Sequence, residues 1–298
     1  MDPKICMLRA RLGANNPFVK LRGDYTIQHN GIIVFDTEPS AKKFNLAAFP
    51  VEKVIMEHRV RSMAYQHWFR FIHALTLTPH IGTRILDVGA GDCMVGHFLY
   101  QNLRKPKYAA IDLDAKRLEK AILRGFGREE FLFIQRDLVR PLPFPDKSFD
   151  VVISYESLEH LEKHHARKLI DECYRVLVKD GKLSLSTPNN RGEKIAEKYK
   201  RFKAHGKKNV FEEHPYEWRY GELHRVIREA GFRYVKGYGL DLDHVRQAQM
   251  MNNEAGEDTS YELLTRRILE YFPTSIARMF IALTVPFKAS FVMVEAEK

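Results

Sequence analysis

The chain has 298 residues, of which 45% are hydrophobic and 29% are charged, and its formal net charge is +10. This composition supplies enough apolar side chains for an ordinary core, so it excludes a disordered or low-complexity chain. The three cysteines, Cys6, Cys93 and Cys173, lie far apart and form no Cys-x-x-Cys pair. A disulfide scaffold and a cysteine-rich zinc module are therefore excluded as well.

The two ends of the chain carry no membrane signal that we recognise in the sequence. The N-terminus lacks the apolar segment of a secretory signal, and the most apolar late stretch, residues 279–287, is too short to cross a bilayer. We therefore expect a cytoplasmic protein with no membrane span and no obligate protein partner. The excess of basic residues favours polyanionic partners without identifying one.

Residues 1–79 are predicted to form an N-terminal extension made of a hairpin and a helix. Two short apolar segments flank Asn30-Gly31, a dipeptide that is typical of tight hairpin turns. Residues 51–77 contain neither glycine nor proline and repeat apolar residues at a helical spacing. They predict a helix that ends before Pro79, because the residue before a proline avoids the helical conformation.

From residue 84 onward, predicted strands alternate with predicted helices, and this alternation is typical of a doubly wound, mostly parallel sheet. The predicted strands are 84–88, 108–112, 131–135, 149–155, 182–187, 233–238 and 290–295. The predicted helices are 94–103, 116–124, 164–178 and 217–230. We predict an α/β, seven-stranded Rossmann-like fold with its core over residues 80–240. Residues 241–298 are predicted to add a helical insertion and the strand that completes the sheet.

A glycine-containing turn, residues 87–92 (DVGAGD), follows the first predicted strand of this core and opens a helix. Ligands of doubly wound sheets bind at the carboxyl ends of the strands, where glycines allow close approach to the backbone. The turn lacks the third glycine of a dinucleotide fingerprint, because that position is Met94, and it lacks the Gly-Lys-Ser/Thr of a P-loop. Taken alone, it indicates only a connection between a strand and a helix.

Two further carboxylates end the next two predicted strands. Asp112 is placed to accept both hydroxyls of a ribose. Asp137 is placed to accept from an exocyclic amine, while the backbone N–H of Leu138 meets a ring nitrogen. A single aspartate there could be no more than a helix cap. Three carboxylates at three consecutive strand ends, with Asp87 as the first, favour a ligand site.

With these residues the chain resembles the class I S-adenosylmethionine-dependent methyltransferases over roughly residues 83–236. The resemblance includes the segments LDVGAGDC, AAIDLDAKRL, QRDLVRPLPFPDKSFDVVIS, ESLEHL and CYRVLVKDGKLSLSTPN. It implies S-adenosylmethionine as the cofactor, with Asp112 at the ribose. Cys93 stands where many relatives carry a third glycine, and we expect its small side chain to be accommodated. The implied cofactor-binding residues are Asp87, Gly89, Ala90, Gly91, Asp112, Leu113, Asp137, Leu138 and Tyr155.

The acceptor side follows the fourth predicted strand, where the sequence reads Glu156-Ser-Leu-Glu159-His160-Leu. On a helix, residues 156, 159 and 160 would share one face and offer the ligand types of a divalent metal such as Mg²⁺ or Mn²⁺. With His214 as a fourth ligand, this set resembles the metal-dependent ribose 2′-O-methyltransferases that modify the 3′ ends of small RNAs. The same element occurs in relatives that methylate hydroxyls of small molecules, and in that case His160 and Glu159 are the catalytic residues.

We therefore predict a methyltransferase that acts on a hydroxyl of a small molecule such as a sugar or a phenol. One alternative is a metal-dependent RNA ribose 2′-O-methyltransferase, and another is a non-catalytic domain that only binds the cofactor. Residues 191–208 are rich in lysine and arginine and follow the fifth predicted strand. They predict a basic flap that attracts an anionic small molecule or the phosphates of RNA.

Overall fold

A mixed β-sheet runs through the computed structural model, which describes residues 18–35, 62–102, 105–123, 130–190, 216–240 and 291–298 and, of residues 62–68, the backbone only. The strands are β1 (Thr26–Ile27), β2 (Ile33–Val34), β3 (Arg84–Val88), β4 (Lys107–Asp112), β5 (Phe131–Gln135), β6 (Phe149–Tyr155), β7 (Leu177–Pro188), β8 (Arg233–Gly239) and β9 (Phe291–Glu297). The helices are α1 (Ser62–Thr76), α2 (Met94–Gln101), α3 (Ala115–Ala121), α4 (Lys163–Val176) and α5 (Tyr220–Glu229), with a 3₁₀ turn over Leu158–His160.

The strands lie in the order β1-β2-β5-β4-β3-β6-β7-β9-β8. From β2 to β7 all neighbours are parallel, whereas β9 runs antiparallel to both β7 and β8. This confirms the predicted Rossmann-like class and all seven predicted strands. The predicted hairpin is also present, and it extends the sheet by two strands, because β2 pairs with β5 through Ile33 and Ile134. The domain limits drawn from the sequence stay a prediction.

One boundary differs clearly from the prediction. The helix predicted over 164–178 ends at Val176, and β7 begins at once with Leu177. Leu177 pairs with Phe149 of β6, and the register then shifts before Val151 pairs with Lys182. A turn with Asp180 at φ 61° lies within this irregular segment. The sequence pattern missed the early start of the strand because Lys-Asp-Gly is typical of a turn.

Both faces of the parallel strands are covered, which explains why these strands read as continuous apolar runs rather than alternating ones. On β3, Leu86 belongs to a buried cluster that includes α4 and α5, whereas Ile85 belongs to a cluster that includes α1, α2 and α3. The predicted helix over 51–77 is present from Ser62 onward, and its earlier part lies outside the described residues. The helical insertion predicted after residue 240 also lies outside them. None of the described helices is long and apolar enough to cross a bilayer.

The strand order places a crevice between β3 and β6. These strands are neighbours, with Asp87 paired to Ile153, but the chain leaves β3 toward β4 and leaves β6 toward β7. The loops that follow the two strands therefore diverge at the carboxyl edge of the sheet. In doubly wound folds, ligands bind at such a switch point.

Candidate functional site

The turn after β3 is tied tightly to the end of β4. The backbone N–H groups of Gly89 and Ala90 both donate to the carbonyl of Ile111, at 2.8 and 2.9 Å. Gly89 has φ 75°, and a Cβ built there would lie 2.0 Å from the hydroxyl oxygen of Ser157 in the loop after β6. The first glycine is therefore required by conformation and by the close approach of these two loops.

Asp112 at the end of β4 holds both its own loop and the glycine turn. Its Oδ2 accepts from the backbone N–H of Gly91 at 2.7 Å, and its Oδ1 accepts from that of Asp114 at 2.9 Å. Burial raises the pKa of the Asp112 carboxyl, and the nearby Arg117 guanidinium opposes this effect. Each oxygen of a carboxylate has two lone pairs, so each can accept one further donor from a ligand.

Asp87 is buried behind the glycine turn. It accepts a short hydrogen bond from the Tyr108 hydroxyl, which fixes the carboxyl between β3 and β4. Burial raises the pKa of Asp87 to about 7, with a further increase from the charge of Asp112 and a decrease from the Tyr108 hydrogen bond. Near neutral pH, a positive charge brought close to Asp87 would therefore favour its ionised form.

Asp137 and Leu138, which the resemblance assigns to the cofactor, lie at the same crevice. Asp137 is buried after β5, and its Oδ1 accepts from the backbone N–H of Val139 at 3.1 Å. The Leu138 side chain lies 3.9 Å from the position of a Cβ on Gly89. The carbonyl of Leu113 accepts from the Gln135 side chain at 3.3 Å, which joins the loops after β4 and β5. The loops after β3, β4 and β5 therefore converge as the sequence predicts.

Arg117 on α3 is part of this cluster, although the sequence analysis did not single it out. Its guanidinium covers Gly91, where an added Cβ would lie 2.6 Å from Nη2. Its Nε donates to Oδ1 of Asp92 at 3.1 Å. The only available signal was its position within the AAIDLDAKRL segment, and a lone arginine on a short helix is usually a solvated side chain.

Tyr155, which the resemblance assigns to the cofactor, ends β6. Its hydroxyl lies 3.0 Å from the Ser184 hydroxyl and 3.5 Å from the carbonyl of Arg70 on α1. Burial raises the pKa of the Tyr155 hydroxyl. These contacts join α1 to the sheet, and a contact of the Tyr155 ring with the cofactor stays a prediction.

Cys93 adopts the left-handed conformation at the position where the resemblance places a third glycine in many relatives. Its φ and ψ are 55° and 38°, and the side chain is fully buried. A non-glycine residue in this conformation is strained by about 1–2 kcal/mol. The thiol is accommodated, as we expected, but at a backbone position that favours glycine.

We expect Cys93→Gly to leave the free energy of unfolding within about 1 kcal/mol of the wild type, because relief of strain offsets the lost buried thiol. Cys93→Val should destabilise the protein by more than about 2 kcal/mol, since a branched side chain would be forced into this conformation and a filled core. Urea unfolding measures both, with Cys173→Val on α4 as a control for added volume alone. Equal costs for valine at the two cysteines would contradict this account.

On the acceptor side, Glu156, Glu159 and His160 do not lie on one helix, although the shared face considered for a metal site requires it. Glu156 has φ 56°, and its backbone N–H donates to the carbonyl of Ser186, so it continues the pairing of β6 with β7. Only the single 3₁₀ turn follows. The three side chains therefore do not share a helix face, because Glu156 lies outside the helical turn.

The side chains also contact different partners. Oε1 of Glu156 accepts from Nη2 of Arg70 at 2.6 Å, and Oε2 of Glu159 accepts from the Thr187 hydroxyl at 3.0 Å. Glu159 is fully buried, and burial followed by the charge of Glu156 raises its pKa well above the ordinary value. His160 is partly exposed at the carboxyl edge of the sheet.

This arrangement does not support the predicted metal site. Within the described ranges, no three His, Cys, Asp or Glu side chains are grouped so that they could hold a metal ion. A cationic guanidinium contacts the Glu156 carboxylate, where a metal ion would compete with it. His214 and the basic segment 191–208 lie outside the described residues, so their roles stay predictions.

The proteins that this chain is similar to are methyltransferases. Residues 86–185 match the methyltransferase domain family. A probable S-adenosylmethionine-dependent methyltransferase of Mycobacterium tuberculosis is 28% identical over 159 residues, which is 52% of this chain and 54% of that protein. The phosphoethanolamine N-methyltransferase of Plasmodium falciparum is 29% identical over 108 residues, 35% of this chain and 38% of that protein. The chain thus spans about half the length of the Mycobacterium tuberculosis protein and less than half of the Plasmodium falciparum protein.

Solved structures show the same fold at low sequence identity. Phosphoethanolamine N-methyltransferase 2 of Haemonchus contortus in complex with S-adenosylmethionine has a TM-score of 0.53 at 16% identity, covering 83% of this chain and 59% of that one. A methyltransferase of Archaeoglobus fulgidus has a TM-score of 0.51 at 14% identity, covering 84% of this chain and all of that one (100%). These similarities agree with the fold class predicted from the sequence.

Proposed function

Because residues 86–185 of this chain form a class I S-adenosylmethionine-dependent methyltransferase domain, we propose that the whole protein methylates a hydroxyl group of a small molecule, such as a sugar or a phenol. The observation that carries the proposal is the convergence of three strand-end carboxylates, Asp87, Asp112 and Asp137, with a conformationally required glycine turn in one crevice. A degenerate, non-catalytic domain would not need to keep this set intact.

The residues of the crevice fit the cofactor by the chemistry of their donors and acceptors. Asp112 retains one lone pair on each oxygen for the two ribose hydroxyls, and Asp137 with Leu138 suits the edge of an adenine. When bound, S-adenosylmethionine supplies a methyl group on a positively charged sulfur, which makes this methyl electrophilic. The protein then has to align the acceptor with the methyl and exclude water.

His160 is the residue that we assign as the base for a hydroxyl acceptor. A hydroxyl is a weak nucleophile, so removal of its proton by a positioned imidazole promotes the transfer. His160 is partly exposed at the edge where the loops after β3 and β6 diverge, whereas Glu159 is buried against Thr187. Glu159 is therefore assigned to positioning the turn that carries His160.

An amine acceptor is the second candidate. Burial raises the pKa of Glu156, the Arg70 guanidinium opposes this effect, and the charge of Glu217 adds to it. The Glu156 side chain is 24% exposed, and its carboxylate can accept a hydrogen bond from an N–H group as well as from an O–H group. Two of the similar proteins are named as phosphoethanolamine N-methyltransferases. A neutral amine would react without a base.

We expect His160→Ala to lower kcat by about 10²- to 10⁴-fold for a hydroxyl acceptor, with the affinity for S-adenosylhomocysteine unchanged. His164→Ala is the matched control, because the His164 side chain is 57% exposed at the start of α4. Steady-state methyl transfer and calorimetric titration measure the two quantities. If His160→Ala is as active as the control, His160 is not the base, and an amine acceptor is favoured instead.

A further inference from the structure

Glu156 occupies an unusual position at the switch point of the sheet. It directly follows β6, it adopts the left-handed conformation with φ 56°, and its backbone N–H is fixed by the carbonyl of Ser186 at 2.9 Å. A non-glycine residue in this conformation persists only where its surroundings determine it, and such residues cluster at functional sites. The backbone therefore directs this side chain to one defined place beside the crevice.

The two oxygens of the Glu156 carboxylate are used unequally. Oε1 accepts two hydrogen bonds, from Nη2 of Arg70 at 2.6 Å and from the Ser186 hydroxyl at 3.0 Å. Within the part of the chain that the structure describes, Oε2 accepts no hydrogen bond. The side chain is 24% exposed, so a group arriving from the crevice can reach it. The result is an oriented carboxylate with one oxygen left to accept a donor.

Arg70 explains the orientation of this carboxylate. It comes from α1, its side chain is only 3% exposed, and its guanidinium lies 6.0 Å from the centre of the Phe291 ring. Its Nε is buried and donates no hydrogen bond within the described residues. Burying an arginine is costly without a charged partner, and Glu156 supplies that partner. The guanidinium also favours the charged form of Glu156, against the effect of burial.

We propose that Oε2 of Glu156 accepts a hydrogen bond from an O–H or N–H group of the methyl acceptor, and that Arg70 positions Glu156 for this contact. The inference rests on the proposed function and deepens it. The group that reaches this oxygen must carry a hydrogen, as an alcohol or an amine does, whereas an ionised phosphate or carboxylate has no hydrogen to donate. Glu156 thereby has a role that needs no metal ion.

The test compares Glu156→Gln, Arg70→Met, Arg70→Lys and the double variant Arg70→Met/Glu156→Gln in the full chain. Labelled S-adenosylmethionine is supplied with glucose, catechol or ethanolamine as probe, and with a fixed low-molecular-mass metabolite extract. Matched controls are Glu162→Gln, whose side chain is 56% exposed, and Arg84→Met, which breaks a partly exposed ion pair with Asp150 at the opposite end of β3. Calorimetric titration with S-adenosylhomocysteine reports cofactor binding and correct folding.

We expect Glu156→Gln and Arg70→Met each to raise the acceptor KM by about 10- to 100-fold, with S-adenosylhomocysteine affinity within about twofold of wild type. The double variant should be no worse than Glu156→Gln, because Arg70 acts through Glu156, and Arg70→Lys should restore part of the effect. If Glu156→Gln keeps the wild-type KM, or if the increases in KM add up in the double variant, the inference is overturned and the proposed function is not. If Arg70→Met fails to fold, the KM values of Glu156→Gln and Arg70→Lys test the inference in its place. If the wild type transfers no methyl group to any of the probes or to the extract, the proposed function and the inference are overturned together.

Discussion

Replacing Gly89 with alanine should destabilise the protein far more than the same replacement at Gly82. Both glycines have positive φ, 75° and 80°, so alanine is strained at either position by about 1–2 kcal/mol. A Cβ at Gly82 would meet nothing within 4 Å, whereas a Cβ at Gly89 would lie 2.0 Å from the Ser157 hydroxyl and 2.7 Å from its Cβ. This overlap should add about 1–3 kcal/mol, because the loops after β3 and β6 would have to separate.

Urea unfolding of Gly89→Ala, Gly82→Ala and the double variant Gly89→Ala/Ser157→Gly separates strain from overlap. The double variant should recover most of the difference between the two single variants, since it removes the opposing side chain but keeps the strain. Calorimetry should also find that Gly89→Ala loses affinity for S-adenosylhomocysteine and that Gly82→Ala does not. Equal unfolding free energies for the two single variants would show that the loops do not meet as described.

Replacing Asp112 with alanine should lower the affinity for both S-adenosylmethionine and S-adenosylhomocysteine by about ten- to a hundredfold. The change removes the carboxylate proposed for the ribose hydroxyls, and a hydrogen bond to a charged group contributes about 1.5–3 kcal/mol. It also frees the backbone N–H groups of Gly91 and Asp114, so the glycine turn loses its tie to β4. Binding and loop order are therefore expected to weaken together.

Asp114→Ala is the matched control for this loss. Asp114 is exposed, and its side chain caps α3 by accepting from the backbone N–H of Lys116 at 2.9 Å. Its loss should cost about 1 kcal/mol of stability and leave cofactor affinity unchanged. Calorimetric titration of both ligands into both variants makes the comparison. If Asp112→Ala bound the ligands as tightly as Asp114→Ala, the ribose assignment would fail.

The sequence predicts the sheet and the positions of its strand ends because both depend on local patterns. Apolar runs bounded by polar turns define the parallel strands, and in such a fold every strand end meets the same edge. Once the strands are recognised, their order along the chain is enough to predict that Asp87, Asp112 and Asp137 meet at one edge of the sheet. The turn glycines are equally local, since their positive φ is required where they stand.

The acceptor side depends on contacts between distant parts of the chain, and sequence patterns do not show these. The contact of Arg70 with Glu156 joins residues 86 positions apart, and nothing around Arg70 distinguishes it from a solvated arginine on α1. The helix considered after β6 is absent because a backbone hydrogen bond to Ser186 of β7 fixes Glu156 in the left-handed conformation, and local propensity does not show this contact. Arg117 was missed for the same reason, since its role comes from covering Gly91 across two loops.

Transfer of a labelled methyl group tests the central claim most directly. The wild-type protein is incubated with labelled S-adenosylmethionine and a total cell extract in excess EDTA, and the label is then measured in the RNA, DNA, protein and small-metabolite fractions. The proposed function predicts that label enters the small-metabolite fraction, that the chelator does not reduce it, and that Asp112→Ala largely abolishes it at low cofactor concentration. Label found only in RNA, and lost in EDTA until Mg²⁺ or Mn²⁺ is restored, would contradict the proposal and favour the metal-dependent ribose methyltransferase.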